Sequence, residues 1–313
     1  MALMENFYIE LGDQTLVSGG KRFFSGRAIV ELVADCKMQY LHVELVCQAS
    51  TSWSAGKNGC RSIKANETVV KDQLILYSGR KPIELAFGRH EFPFTFELPL
   101  NIPASMTREY GIVRYEICAL MERPWREATF TKLNIHVPCA SFNSNNSPSA
   151  VERIMTMSSS CFKSNRIRVT LSLNKRSYSP GDTIALQADL HEVPCFIKES
   201  LFRLEECTIF RGTETTKDDT RWCEHETVSA VTFVAVNYNS NNSIMAELKI
   251  PETISYSGKC HIISVRHVLI LELTKKNNRS LIAFRQPVEI GPPILSTPQI
   301  ISRQANNLLT STN

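Results

Sequence analysis

Hydrophobic residues recur at every second position along most of the chain. Phe92, Phe94, Phe96 and Leu98 alternate with Pro93, Thr95 and Glu97, the period of a strand with one buried face. Pro99 and Pro103 stop that ladder, because proline has no N–H to donate. A second run, from Ile112 to Met121, is rich in Ile, Val and Tyr and is closed by Arg123-Pro124-Trp125. Two long strands joined by a proline-broken crossing predict an antiparallel sandwich. The same pattern predicts strands over 5–11, 27–33, 40–48, 68–77 and 128–137, with Leu41, Val43, Leu45 and Cys47 sharing one face of the third. Between Ser50 and Lys64 the composition changes to Ser, Gly, Lys, Arg and Asn, which reads as an exposed loop. Ser78-Gly79 reads as a turn.

Ser141 to Pro148 has almost nothing to bury and reads as a linker; residues 150–158 read as a short helix or irregular chain. The alternation then restarts. Strands are predicted over 167–173, 183–190, 202–210, 227–236, 244–250, 260–273 and 281–290, separated by polar runs at 212–221, 238–243 and 275–278. In Ser179-Pro180-Gly181-Asp182, proline presets φ at the second corner and glycine supplies a positive φ at the third. Long amphipathic helical periodicity is missing. Short, regularly spaced strands with polar turns predict an all-β fold of two antiparallel, immunoglobulin-like β-sandwiches joined by a short hinge. The expected boundaries are 1–140 and 165–291 for the sandwiches, 141–164 for the hinge and 292–313 for a flexible tail.

Composition narrows the function classes. The 313 residues are too many for one ordinary core. A net charge of +4 is small for this length, and neither half has the dense basic face of a nucleic-acid binder. The N-terminal Met-Ala-Leu-Met-Glu-Asn-Phe-Tyr-Ile-Glu has no long apolar core, so no signal peptide is expected, and no apolar run reaches the ~18 residues of a membrane span. The 10 cysteines are scattered, none spaced C-x-x-C, and read as reduced thiols.

The order of several motifs resembles the arrestin family. Phe92-Pro-Phe-Thr-Phe-Glu-Leu-Pro99, Pro103-x-Ser105, Gly111-x-Val113-x-Tyr115 and Arg123-Pro-Trp125 are similar to the middle of the arrestin N-terminal domain. Tyr178-Ser-Pro-Gly-Asp-Thr183 and the stretch from Ile250 to Leu273 are similar to the arrestin C-terminal domain. Phe24 to Leu32 and Ser52-Trp53 resemble the arrestin-domain-containing proteins, the α-arrestins. The resemblance covers roughly residues 5–290. It implies a non-enzymatic cytoplasmic adaptor, recruited to the plasma membrane or endosomes, that binds receptor or transporter tails and links them to ubiquitin ligases, endocytosis and protein transport. The family's ligase contact is a Pro-Pro-x-Tyr peptide; here Pro292-Pro293 is followed by Ile294-Leu295. The alternatives are a retromer-like sorting scaffold and a thioredoxin-linked redox regulator. For the latter, the corresponding strand, Val228 to Asn237, has no cysteine, and Cys223 lies just upstream.

Candidate chemistry is sparse. Lys57, Arg61 and Lys64 beside Trp53, with Lys71 beyond, offer a contact for phosphorylated tails or anionic lipid heads, as do Lys21, Arg22 and Arg27. The same cations also read as a solvated surface. Cys223-Glu224-His225 carries ligand-type side chains, but zinc takes about four ligands, usually as two close pairs, and no second pair is visible. Ser160-x-x-Lys163 matches a serine-nucleophile pattern without its supporting motifs. No metal, cofactor or catalytic residue is expected.

Overall fold

The computed structural model describes residues 4–12, 16–18, 21–99, 102–138, 149–158, 164–191, 197–215, 220–237, 243–275 and 280–292. The first half forms β1 (Met4–Leu11), β2 (Leu16–Ser18), β3 (Lys21–Leu32), β4 (Cys36–Ala55), β5 (Arg61–Leu85), β6 (Gly88–Leu98), β7 (Met106–Arg108), β8 (Gly111–Glu122) and β9 (Thr129–Ile135). The second forms β10 (Ser149–Ser158), β11 (Ser164–Leu173), β12 (Ser177–Tyr178), β13 (Thr183–His191), β14 (Ile197–Thr215), β15 (Thr220–Asn237), β16 (Ser243–Lys249), β17 (Gly258–Lys259), β18 (Ile263–Lys275) and β19 (Ser280–Ile290). Among the described residues the helical content is one 3-10 turn, Lys57–Gly59.

Each half packs two sheets face to face. In the first, β1, β2 and β6 flank β3, and this sheet covers the one built on β4, β5 and β8. Alternation decides which side is buried. Leu41, Val43, Leu45 and Cys47 on β4, and Val113, Tyr115, Ile117 and Ala119 on β8, face Phe24, Ala28, Phe94 and Phe96 of the other sheet. Burying one such aliphatic side chain contributes about 1.5–3 kcal/mol. The Tyr115 hydroxyl donates to the Pro103 carbonyl at 2.6 Å, pinning the proline crossing to the core. In the second half, β10, β11, β13 and β16 cover the sheet of β14, β18 and β19 around Leu171, Ile184, Phe202, Leu269 and Phe284.

One sheet runs through both halves, in the order β12-β19-β18-β14-β5-β4-β8-β7 among the described residues. The joint is a two-residue antiparallel pairing, Thr213 with Lys64 and Glu214 with Ile63.

The turn at Ser179 forms as read: Asp182 N–H donates to the Ser179 carbonyl at 3.0 Å, with Gly181 at φ +84°. Three expectations are corrected. Ser50–Lys64 is not a loop; β4 runs to Ala55 and β5 starts at Arg61, so only five residues turn. Trp53 and Ile63 are 7% and 3% exposed there, and their cover comes from the second half. Ser78-Gly79 does not reverse the chain, since β5 continues to Leu85; a register shift between Met38 and Tyr40 absorbs the extra residues. Residues 150–158 are strand rather than helix, held by β11 from Ser149↔Leu173 to Ser158↔Ser164. That strand lies inside the stretch expected as hinge; the linker over 141–148 and the tail beyond 292 fall outside the described residues.

Candidate functional site

The seam between the two halves collects the molecule's unusual chemistry. Phe210, Ile262 and Ile263 belong to the second half but complete the core of the first. Phe210 lies edge-on to Tyr110, centroids 5.8 Å apart, and Tyr110 meets His225 at 4.4 Å. Trp53 is 5.9 Å from the same imidazole. Glycine makes the approach possible at two points. A Cβ on Gly111 would stand 2.8 Å from Phe210 Cδ1, and one on Gly212 would stand 2.9 Å from Ile63 Cγ2.

Polar groups lock the same surface. The Glu67 carboxylate accepts the amides of His261 and Ile262 at 3.2 and 3.1 Å. Thr51 Oγ1 donates to the Arg211 carbonyl at 2.6 Å, and Arg61 pairs with Glu214 at 3.3 Å. Apolar contacts with matched polar groups resist relative motion of the two halves; hinge motion is the expectation for smaller, wetter contacts.

Beside the seam lies a cleft of about 350 Å3 lined by Pro103, Ser105, Arg108, His136, Ser255 and Tyr256, among others. Arg108 Nη2 donates to Glu206 Oε1 at 2.7 Å and also to Ser255 Oγ. Behind Glu206, His267 is sealed from solvent, with Nε2 3.6 Å from Glu206 Oε2 and Nδ1 2.9 Å from Ser257 Oγ. Burial works against the charge on Glu206. The facing His267 and Arg108 outweigh it, so the carboxyl sits below its ordinary value. Serine, histidine and glutamate in a row have the composition of an acyl-transfer triad. Their geometry serves packing instead: Ser257 Oγ accepts the Ile290 amide at 2.9 Å, and it faces Nδ1 of a histidine that is sealed in the core. Arg108, by contrast, keeps about a third of its side chain exposed and offers donors to a ligand in the cleft.

The cations expected from sequence do not form one patch. Lys57, Arg61 and Lys64 share the tip of the β4–β5 hairpin, and all three residues are exposed. Lys64 also borders a second recess next to Arg108 and Tyr110. Lys71 lies farther along β5 and is paired with Glu44 at 2.8 Å. Arg27 is on the other sheet, between Glu91 at 2.9 Å and Glu10 at 3.8 Å. Lys21 and Arg22 open β3, paired with Ser18 and Val17; their side chains lie outside the described residues. Arg108, Glu206 and His267 were not singled out from sequence. They come from three distant strands, and their only local signal is the cluster Arg108-Glu109-Tyr110 just before Gly111.

At the seam, Cys47 is buried and Cys260 is partly buried. Burial pushes the thiols of Cys47 and Cys260 up to about 11. Cys223, on β15, is partly buried, and among the described residues no cluster of metal-ligand side chains forms. No described helix is long and apolar enough to cross a membrane.

Comparison with known proteins agrees with this architecture. The family model "Arrestin (or S-antigen), N-terminal domain" matches residues 8–139, and "Arrestin (or S-antigen), C-terminal domain" matches residues 163–295. The chain is 25% identical over 309 residues to arrestin domain-containing protein 17 of Caenorhabditis elegans, covering 90% of this chain and 69% of that protein. It is 22% identical over 194 residues to thioredoxin-interacting protein of Homo sapiens, covering 59% of this chain and 50% of that protein. The mouse protein of the same name gives 22% over 195 residues, with 59% and 49% covered. The chain thus spans about half the length of the thioredoxin-interacting proteins. With both arrestin domains matched in order, over two sandwiches that share one sheet, the chain belongs to the arrestin family and fits its arrestin-domain-containing branch.

Proposed function

We propose that this chain is a non-enzymatic adaptor of the α-arrestin type. It binds cytoplasmic tails of membrane receptors or transporters and links them to ubiquitination, endocytosis and protein transport. It works from the cytoplasm, with recruitment to the plasma membrane or endosomes. The observation that carries the reading is the seam: two arrestin domains joined through one sheet and a shared apolar core, with a cleft and partly exposed cations along the joint. An extended tail laid across that joint meets Lys64, Arg108 and, at the hairpin tip, Lys57. Arg27, Arg61 and Lys71 hold carboxylates, as Arg108 does with Glu206, but of these four only Arg108 lines the cleft. The edge strand β15 pairs only with β14 among the described residues and gives a second place for an extended peptide, by strand addition.

The thioredoxin-linked alternative has the names of two relatives in its favour. Against it, the seam thiols of Cys47 and Cys260 are held protonated at neutral pH, and the thiolate is the reactive form.

Proximity labelling in cells tests the adaptor reading, with the intact chain and with a version ending at Gly291. The expected result is enrichment of membrane receptors, transporters and ubiquitin ligases by the intact chain; loss of ligases on truncation would assign their recruitment to the tail. Labelling confined to sorting-complex subunits or to soluble redox proteins would overturn it.

A further inference from the structure

The molecule uses one turn twice, with very different residues at its third corner. In Ser179–Asp182 that corner is Gly181, at φ +84°. In Arg123-Pro124-Trp125-Arg126 the amide of Arg126 donates to the Arg123 carbonyl at 3.3 Å, proline again holds the second corner, and Trp125 takes the third at φ +59°. Side chains with a Cβ are disfavoured in this left-handed region. The indole gains nothing from the fold in return, because it is fully exposed, at 103%. Arg123 Nη2 donates to Thr129 Oγ1 at 2.9 Å and braces the turn.

Two neighbouring turns also expose an apolar side chain. Phe87, between β5 and β6, is 72% exposed, and Val33, between β3 and β4, is 47% exposed. The Phe87 amide donates to Asp35 Oδ1 at 2.8 Å, tying these two turns together. Register places all three at one end: Cys36 pairs with Leu85 and Tyr40 with Glu122. That end is the far end from the seam, where Thr51 meets Gly111.

We propose that this tip docks on a lipid bilayer, with Trp125 and Phe87 entering the headgroup region. The apices project singly from separate turns. A stable protein interface needs about 800 Å2 from each partner, whereas a bilayer accepts each ring by itself, and the amphipathic indole favours the depth of the headgroups. The charges around the tip are nearly balanced, with Lys37, Arg80, Lys81, Arg89, Arg123 and Arg126 against Glu31, Asp35, Glu84, Glu122 and Glu127. Attraction to anionic lipid therefore adds little, and the contact rests on the rings. Strain and exposure at one residue fit a side chain kept for binding at the expense of the fold. The contact is weak and reversible by itself, so it orients the chain and leaves room for a second attachment. It stands or falls without the adaptor reading, since it is measured on lipid alone.

The test is co-sedimentation of the full chain with phosphatidylcholine vesicles, with and without phosphatidylserine, at low and high salt, for wild type, Trp125→Gly and Phe87→Ser. The wild-type chain should bind both vesicle types, with little effect of salt. Each substitution should lower the partition by about tenfold, the effect of losing one well-buried anchor. Trp125→Gly should also melt at or above the wild-type temperature, because glycine suits the corner. Lack of wild-type binding, unchanged binding of Trp125→Gly, binding only to phosphatidylserine vesicles at low salt, or a lower melting temperature for Trp125→Gly would each overturn the proposal.

Discussion

Replacing Gly111 by alanine sets one methyl group into the wall between the domains. The added Cβ would lie 2.8 and 2.9 Å from two carbons of the Phe210 ring and 2.9 Å from Ile263 Cδ1. Carbon pairs prefer about 3.5–4.0 Å. Phe210 and Ile263 are 1% and 2% exposed, and Tyr110 blocks the edge of the ring, so neither side chain has room to retreat. Overpacking of this kind costs about 1–3 kcal/mol. Alanine would recover about 0.5–1 kcal/mol of chain entropy that glycine loses in a strand. The net expectation is a loss of about 1–2 kcal/mol, or a melting temperature lower by about 2–6 °C. Differential scanning calorimetry reads the shift. A cycle with Phe210→Ala isolates its cause: without the ring much of the clash is relieved, and the double variant should be more stable than the sum of the singles by about 1 kcal/mol. Both residues sit on different domains, so this coupling measures the seam itself. A Gly111→Ala protein that melts at or above wild type would refute the reasoning, as would a cycle additive within about 0.3–0.5 kcal/mol.

Other consequences are open to measurement. Glu67→Ala removes the acceptor for the amides of His261 and Ile262, and should cost about 1–3 kcal/mol and speed hydrogen exchange at those two amides; unchanged exchange would show that they find other partners. Glu206 has a folded-state carboxyl below its ordinary value, so its stabilising charge is present above the unfolded value and is lost as pH falls through the folded one. Glu206→Gln should therefore be less stable than wild type at neutral pH, with the gap closing in acid; a gap that stays constant in urea titrations across that range would contradict it. Cys60 is exposed while Cys47 and Cys260 are buried or partly buried, with thiols near 11, so a brief alkylation of native protein read by mass spectrometry should label Cys60 and spare those two. Their labelling at an equal rate would mean that the seam opens readily.

The chain's period-2 alternation was enough to give the two sandwiches, because each strand buries one face against a sheet from its own half. Phe94, Phe96, Val169 and Leu171 are buried as their spacing implies. The reading failed where the cover comes from far away. Trp53 and Ile63 sit among serines, lysines and glycines, and locally they look like a loop. They are strand because Gly212, some 150 residues later, presents a bare backbone for them to pack on. The same holds for Glu67 and Arg108, whose partners lie 98 to 195 residues away. Local pattern carries no trace of such pairs, except the two glycines, whose missing side chains mark a close approach only once the opposing residue is known. Residues 150–158 failed differently: β11, their partner, adjoins them in sequence, but their apolar residues, at 150, 151, 154, 155 and 157, do not alternate as a half-buried strand's would.

The same distinction bears on how the molecule works. If the seam were a wet, polar contact, tail binding at Lys64 and Arg108 would compete with domain motion and its affinity would include the work of arranging the halves. Here the shared sheet and the apolar plug of Phe210, Ile262 and Ile263 fix that arrangement beforehand. A ligand then loses only its own freedom on binding, which is the general advantage of a preorganised site. It follows that weakening the seam should hurt binding in the cleft more than weakening either sandwich far from it. Gly111→Ala, whose added methyl meets Phe210 and Ile263 inside the seam, should lower the affinity for a phosphorylated or acidic tail peptide. An equally destabilising cavity at Phe284, deep in the second core, should leave it unchanged while the protein stays folded. Equal losses from the two variants would mean that the cleft is not organised by the seam.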